Sequence, residues 1–199
     1  MNAGQLNPIR HFSLWYRAAA RRAPGAWFDP TAMTLATAGK GGDVTSRMVL
    51  LKKFGPEGFV FYTNYASRKG RQLDENPRAA LLFYWPHLHR QVRIEGVVER
   101  VSREESEEYF HSRPRLYQIG AAASNQSEII ASRQSLVDRF KRLQKTLAGQ
   151  SVPMPDCWGG YLLIPDSIEF WLHRASRLHE RLRYRKDKAG KWARERLAP

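Results

Sequence analysis

The stretch at residues 47–70 constrains the fold of this chain most, because it combines two short β-rich runs, a tight turn and a helix start. The runs at residues 48–51 and 59–63 are rich in apolar and β-branched or aromatic side chains. Residues 54–58 between them contain the glycines and the proline of a hairpin turn. The stretch therefore predicts two paired strands, followed by a helix.

The end of this stretch has the outline of an anion site. Ser67 can cap a helix whose first turn carries Arg68 and Lys69, and a helix start presents unpaired N–H groups to a phosphate. Arg47 and Lys52 add two cations, but on a regular strand they point to opposite faces. Either a bulge brings them together or they bind different ligand groups. The alternative for the whole stretch is an ordinary hairpin with solvated charges at its ends.

Length and composition indicate a single domain with an anionic partner. The chain has 199 residues, 33 Lys and Arg against 19 Asp and Glu, and a net charge of +14. Residues 174–196 alone hold ten Lys and Arg against three acids. Nucleic acid is one explanation of such a patch and phosphorylated small molecules are another, and no nucleic-acid-binding motif accompanies it. With Cys157 as the only cysteine and no signal peptide or membrane span apparent, we predict a cytoplasmic protein with no membrane partner.

The pattern of elements predicts a mainly β chain with helices, of the α+β class. We divide it into an N-terminal helix or arm over residues 1–28 and one domain over residues 29–199. Strands are predicted at residues 32–38, 79–85, 91–101, 160–164, 168–172, 177–185 and 192–197, and helices at residues 8–21, 102–112, 118–123 and 132–147.

Basic and aromatic side chains in the second half of the chain are further candidates for a binding site. In the predicted strand at residues 177–185, the period of two puts Arg177, His179, Arg181 and Arg183 on one face, where an anion or solvent must offset their repulsion. A solvated edge strand is the alternative. Tyr109 and Arg113 lie one helical turn apart and suit a phosphate, although a surface arginine at a helix end is the commoner case.

Other familiar sites have little support in the sequence. His87 and His89 share a strand face, but without a third ligand they make a poor metal site, so no metal is predicted. The chain contains no GxGxxG, Walker or GxSxG motif, which disfavours Rossmann, P-loop and serine-hydrolase chemistry.

From residue 29 to residue 199 the chain resembles the pyridoxine/pyridoxamine 5′-phosphate oxidases. The resemblance is carried by an ordered series of blocks: RMVLLK, FYTN, SRKG, QVRIEG, YFHSRPR, QIGA, NQS, WGGY, EFW, RLHER and RLAP. It implies an FMN-binding split β-barrel, a Greek-key barrel of six strands with flanking helices, and a homodimer with a C-terminal dimerisation region and sites built from both subunits. It also implies oxidation of pyridoxine and pyridoxamine 5′-phosphate to pyridoxal 5′-phosphate, with O2 as acceptor and H2O2 as product.

The resemblance assigns roles to individual residues. The implied FMN ligands are Arg47, Arg68 and Lys69 at the phosphate, Gln126 and Ser127 beside them, Met48, Val49, Leu50, Leu51, Lys52, Tyr62 and Thr63 along the cofactor, and Gln91, Trp171 and Arg181 around the ring system. The implied substrate residues are Lys52, Tyr109, Arg113 and Tyr117 at the phosphate and Arg177, Leu178 and His179 over the pyridine ring, with Arg177 and His179 as the catalytic pair.

The chain departs from the family pattern at positions that bear on the substrate. Tyr117 stands where a serine is usual, Ala122 where a tryptophan is usual, and Leu172 and His173 where Gln-Gly is usual. The basic, tyrosine-containing N-terminal arm of many members has no obvious counterpart. Two rival functions therefore stay open: a related flavin oxidase of the phenazine-assembly type, and a basic binding protein without catalysis, which would be colourless.

Overall fold

The computed structural model describes residues 7–199 and contains five α-helices and nine β-strands. The helices are α1 (Pro8–Arg21), α2 (Arg68–Glu75), α3 (Arg103–Ser112), α4 (Arg115–Ala123) and α5 (Arg133–Thr146). The strands are β1 (Ala32–Ala38), β2 (Val44–Leu50), β3 (Lys53–Phe54), β4 (Phe59–Asn64), β5 (Arg78–Trp85), β6 (Arg90–Arg100), β7 (Trp158–Leu172), β8 (Glu180–Lys186) and β9 (Trp192–Leu197). The α+β prediction is confirmed.

The strands form one antiparallel sheet that curls into a barrel. Its order is β2-β1-β5-β6-β7-β4-β3, and the two ends of that order, β2 and β3, follow one another along the chain. The amide of Leu51 donates to Thr31 O at 2.9 Å, and the next amide, of Lys52, donates to Val60 O at 2.9 Å. Adjacent peptide groups therefore form hydrogen bonds to the chain just before β1 on one side and to β4 on the other. β2 and β3 together act as the sixth strand, which closes the barrel.

The predicted pairing of residues 48–51 with residues 59–63 is wrong. β2 pairs with β1 along its whole length, and only the two residues of β3 form a ladder with β4. The break between β2 and β3 also answers the question about Arg47 and Lys52. Because the regular strand ends at Leu50, the alternation of faces is interrupted between them.

The longest strand, β7, was predicted as two strands but is continuous over 15 residues. Its register against β6 shifts between Glu95 and Gly96, where a bulge accommodates the extra residue. A Cβ atom at Gly96 would lie 2.1 Å from the Ile164 carbonyl oxygen, so this close approach requires glycine. The bulge lets β7 continue past Pro165 and pair first with β4 and then with β8.

A single large core fills the barrel and extends beneath α1. Phe12 of α1 is fully buried and packs edge-on against Phe54, Phe59 and Phe83 at centroid distances of 5.0–5.1 Å. The N-terminal helix thus contributes to the same core as the strands, while the division of the chain at residue 29 stays a prediction. No helix among residues 7–199 is both long and apolar enough to cross a membrane.

The predicted strand at residues 177–185 begins later than expected. Ser176 and Arg177 have positive φ values of 55° and 60° and lie in a short 3-10 turn, and β8 begins at Glu180. The predicted row from Arg177 to Arg183 on one strand face is therefore wrong for Arg177 and His179. These two residues lie in the turn that leads into β8.

Candidate active site

A cleft with a volume of about 1370 Å3 lies between β2, β4, the start of α2, the α3–α4 junction and the loop after α4. The predicted site residues that line it are Arg47, Met48, Val49, Leu50, Lys52, Tyr62, Thr63, Arg68, Lys69, Tyr109, Arg113, Tyr117, Gln126 and Ser127. Residues from distant parts of the sequence thus converge on one concave surface.

The start of α2 is held against the barrel by local contacts. Ser67 is its N-cap and accepts a hydrogen bond from the Gly70 amide at 3.4 Å, as the sequence predicted. A Cβ atom at Gly70 would lie 1.8 Å from the Tyr65 carbonyl oxygen, so only glycine allows the first turn to pack this closely. This packing fixes the direction in which the neighbouring Lys69 side chain leaves the helix.

Lys69 is a nearly buried cation surrounded by neutral oxygen atoms. Lys69 is only 7% exposed. Its Nζ donates to Gln126 Oε1 at 2.6 Å, Ser67 Oγ at 3.0 Å and Thr63 Oγ1 at 3.1 Å. Burial, with a smaller contribution from the charge of Arg47, lowers its pKa to about 8. The ammonium group is positioned and desolvated but has no carboxylate partner among residues 7–199.

Arg47 is positioned by a separate network of polar groups. Its guanidinium donates to Leu35 O at 3.2 Å, to Thr37 Oγ1 at 2.7 Å and to Thr45 Oγ1. Both threonine hydroxyls in turn donate to Gln72 Oε1 at 2.7 Å. Burial, then the charge of Arg68, lowers the pKa of Arg47. These contacts orient the guanidinium without cancelling its charge.

The cleft carries five cationic side chains, namely Arg47, Lys52, Arg68, Lys69 and Arg113. Within residues 7–199, none of them lies within 4.0 Å of a carboxylate oxygen. Lys69 is buried and Arg47 and Arg113 are partly buried, whereas Lys52 and Arg68 are exposed. Placing such positive charges together is unfavourable unless an anion compensates for them. The arrangement therefore suits a ligand, or two ligands, with phosphate groups.

An aromatic wall bounds the part of the cleft near Arg113. Tyr62 stacks on Tyr109 at a centroid distance of 4.0 Å and lies nearly parallel to Trp158 at 5.5 Å. The Arg113 guanidinium lies 4.9 Å from the Trp158 ring centroid and donates to Tyr117 O at 3.0 Å, while its buried Nη1 has no hydrogen-bond partner in the described part of the chain. Burial, with smaller effects of Glu105 and Tyr109, raises the pKa of Tyr62 to about 12, so its hydroxyl stays protonated.

Sequence reasoning missed several parts of this site. Trp158 forms the back of the aromatic wall, and its WGGY block was the only signal for it. Thr37, Thr45 and Gln72, which orient Arg47, gave no signal because their role depends on tertiary contacts. Leu51 differs from the other predicted cofactor residues near it: its side chain is 4% exposed and packs in the barrel core, and it is not among the residues that line the cleft.

The remaining predicted residues lie on a second surface. Gln91, Trp171 and Arg181 are direct neighbours across β6, β7 and β8. His179 packs against Trp171 at a centroid distance of 4.6 Å, and its Nδ1 accepts a hydrogen bond from the Arg174 amide at 3.1 Å. We call these four residues, Gln91, Trp171, His179 and Arg181, together with Glu169, the β7 strip. Arg177 and Leu178 are exposed beside it.

The β7 strip and the cleft are separate within one chain. Trp158 begins β7 in the cleft and Trp171 stands 13 residues further along the same strand. That separation corresponds to about 40 Å of strand. None of the strip residues, nor Arg177 or Leu178, lines the cleft. If both surfaces act on one ligand, they must come from different copies of the chain.

Glu169 is a strip residue that the sequence did not single out. It accepts hydrogen bonds from Arg181 Nε at 2.7 Å and Arg181 Nη2 at 3.2 Å, and it pairs with Arg93. Burial alone would raise its pKa, but the hydrogen bond from Arg181 and the charge of Arg93 outweigh it, so the pKa lies below its ordinary value. Arg181, which lies opposite Trp171 in the sheet, is thus paired with a carboxylate of its own chain.

Comparisons with known proteins agree with this geometry. The family model for pyridoxamine 5′-phosphate oxidase matches residues 25–147, and that for the pyridoxine 5′-phosphate oxidase C-terminal dimerisation region matches residues 158–199. The chain is 48% identical to the pyridoxine/pyridoxamine 5′-phosphate oxidase of Rhodopirellula baltica, over 100% of this chain and 90% of the relative.

Two solved structures have the same fold. PhzG from Burkholderia lata, crystallised with tetrahydrophenazine-1-carboxylic acid, has a TM-score of 0.91 at 31% identity and covers 100% of this chain and 95% of that one. A pyridoxamine 5′-phosphate oxidase-related, FMN-binding protein from Nostoc punctiforme has a TM-score of 0.72 at 17% identity, with 98% of each chain covered. The split-barrel prediction is confirmed, and the chain belongs to the pyridoxamine 5′-phosphate oxidase family.

Proposed function

We propose that this protein is an FMN-dependent oxidase that converts pyridoxine and pyridoxamine 5′-phosphate to pyridoxal 5′-phosphate, with O2 as acceptor and H2O2 as product. One observation carries the proposal: the cleft holds five cations without a carboxylate partner among the described residues. Two phosphorylated ligands, a cofactor and a substrate, would supply the missing negative charge. A cytoplasmic location is part of the proposal, because one cysteine cannot form an intrachain disulfide.

The residues of the cleft fit FMN. Lys69, Arg47 and Arg68 provide a pre-oriented phosphate site at the start of α2, next to Gln126 and the left-handed Ser127, whose φ is 74°. When bound, FMN supplies the two-electron acceptor that amino-acid side chains lack. The further cofactor-lining residues in this proposal are Met48, Val49, Leu50, Lys52, Tyr62 and Thr63.

A second phosphate site lies at the aromatic wall. The guanidinium of Arg113 and the side chains of Tyr109, Lys52 and Tyr117 line this part of the cleft. These groups would hold the phosphate of the B6 vitamer and so fix the orientation of its pyridine ring. Positioning is the main contribution that such a site makes to the rate.

The β7 strip completes the site in a homodimer. We propose that Gln91, Trp171 and Arg181 of one subunit face the cofactor ring held by the other, and that Arg177, Leu178 and His179 close over the substrate. The Arg174 amide donates to His179 Nδ1, so in the neutral ring the proton resides on Nε2. His179 therefore presents an N–H donor on the side away from its own backbone.

The first test is the colour of the purified protein. We expect a yellow dimer that releases FMN on denaturation and produces peroxide at steady state with pyridoxine 5′-phosphate or pyridoxamine 5′-phosphate. A colourless protein that binds DNA with a steep salt dependence would instead identify a basic binding protein.

A related flavin oxidase acting on a phenazine precursor is the second candidate, because the PhzG structure superposes with a TM-score of 0.91. The higher identity to the named B6 phosphate oxidase favours the first candidate. Parallel assays separate the two. FMN-loaded protein that oxidises a reduced phenazine carboxylic acid, and neither B6 phosphate, would establish the second.

A further inference from the structure

Glu169 stands out because it is a buried carboxylate between two guanidinium groups. It is 4% exposed and pairs with Arg93 on one side and Arg181 on the other. Glu169 and Trp171 lie two residues apart on β7, so their side chains share a face of the sheet. The carboxylate therefore lies beside Trp171 in the part of the β7 strip that the proposed function brings to the cofactor ring.

Glu169 determines how the Arg181 guanidinium is oriented. Two of its N–H groups, on Nε and Nη2, are directed to the carboxylate, and a third, on Nη1, donates to Ala198 O at 2.9 Å. A guanidinium has five N–H donors in one plane. Two of them, one on each terminal nitrogen, have no partner among residues 7–199 and are left on the outer edge of the group.

We propose that Glu169 is a positioning residue that aims the free edge of Arg181 at the cofactor ring and, by its charge, lowers the reduction potential of the bound cofactor. The inference rests on the proposed function, in which Arg181 faces the ring. It assigns a task to a residue that touches neither ligand.

The direction of the effect follows from the local charges. Arg93 also pairs with Glu95 at 3.1 Å, so the side chains of Arg93, Arg181, Glu95 and Glu169 together carry a net charge of zero. Electron uptake adds negative charge to the bound cofactor, and nearby positive charge favours that change. Removing the Glu169 charge raises the local net charge to +1 and shifts the potential to a more positive value. Removing the Arg93 charge lowers the local net charge to −1 and shifts the potential the other way.

The experiment measures the midpoint potential of the FMN-loaded dimer by spectroelectrochemical titration. The first variant is Glu169→Gln, which keeps the side-chain shape. The second is Arg93→Gln at a more exposed site, and it still tests the proposal if the first variant does not fold. The matched control is Glu195→Gln, which breaks a similar pair with Arg183 on the neighbouring strand. We expect a positive shift for Glu169→Gln, a negative shift for Arg93→Gln and, because Glu195 is one strand further from Trp171 and 42% exposed, a clearly smaller positive shift for the control.

The outcomes separate this inference from the function on which it rests. If the wild-type protein binds no FMN, the proposed function itself fails. If the wild type is yellow and active but both variants keep its potential, with full FMN loading and an unchanged circular dichroism spectrum, the role of Glu169 is refuted. A potential that moves in the same direction in both variants also refutes it, because opposite charge changes must act oppositely.

Discussion

The cleft and the β7 strip both contain arginines, but the protein treats their charges in opposite ways. In the cleft, Arg47 and Lys69 are held by hydroxyl, amide and carbonyl oxygens that orient them without neutralising them. In the strip, Arg181 is paired with the carboxylate of Glu169. In the cleft the positive charges stay available for a ligand, whereas in the strip the charge of Arg181 serves to orient its own side chain. The number of basic residues therefore says less about anion binding than the identity of their partners.

The largest effect is expected from removing an unneutralised cation of the cleft. Arg47→Met should weaken FMN binding about 10- to 100-fold, since hydrogen bonds to charged groups contribute about 1.5–3 kcal/mol. Titration of the apoprotein with FMN, followed by the loss of flavin fluorescence, measures the change. Arg183→Met, which removes a paired arginine near the strip, should alter the FMN affinity less than twofold. Equal losses in the two variants would erase the distinction between the regions.

A pH titration sharpens the comparison for Lys69. Its pKa is lowered to about 8, so in the apoprotein it loses its proton as the pH rises through that value, whereas an FMN phosphate, with a second pKa near 6, stays dianionic. The FMN affinity should therefore fall above pH 8, by up to about tenfold per pH unit. Fluorescence titrations between pH 7 and 9.5 test this. In Lys69→Arg, which stays charged, the affinity should be flat over that range; a slope identical to the wild type would point to another group.

Tyr117 tests whether the shape of the cleft matters as well as its charge. Tyr117→Ser removes a 65%-exposed ring beside Arg113 and restores the family's usual hydroxyl. We expect the KM for pyridoxine 5′-phosphate to fall about two- to tenfold with kcat little changed, because one net hydrogen bond contributes about 0.5–1.5 kcal/mol. Steady-state peroxide release measures both constants. A rise in KM would mean that the tyrosine hydroxyl binds the substrate phosphate better than the serine hydroxyl does.

The smallest effect is expected at a partly exposed ion pair near the strip. Glu195→Gln breaks the bond from Arg183 Nη2, which is 2.6 Å long, but both side chains are about one-third exposed or more. Such pairs contribute about 0.2–1 kcal/mol. Urea unfolding should therefore show a loss of stability within that range and unchanged FMN retention. A loss of several kcal/mol would show that this pair, unlike most exposed pairs, is structurally essential.

The parts of the site that depend on local chemistry were predictable from the sequence. Ser67 as a cap, Arg68 and Lys69 in the first turn of α2, and Tyr109 with Arg113 at the end of α3 all follow from spacing within a few residues. Long-range relations were not. Lys69 meets Gln126 from 57 positions away, and the break that brings Arg47 and Lys52 into one cleft is set by pairing with β1 and β4.

The division between the two regions could not be derived from residue patterns alone. The resemblance implied a site built from both subunits, and within one chain Trp171 and Arg181 lie on a different surface from Arg47. The period of two predicted a strand from residue 177, but β8 begins later because the two left-handed residues Ser176 and Arg177 interrupt the extended chain. It also divided β7 at Pro165, since a bulge opposite Gly96 was not visible in either strand alone.

The two consecutive amides of Leu51 and Lys52, which donate to Thr31 and Val60 on opposite flanks, act as the seam of the barrel. The hydrogen bond of the Lys52 amide, which helps to close the barrel, also sets the face on which the Lys52 ammonium lies. A slip of one residue at this seam would turn that side chain to the other face. Cofactor release on mild heating should then precede global melting, and the rise in flavin fluorescence on release would show when the barrel opens.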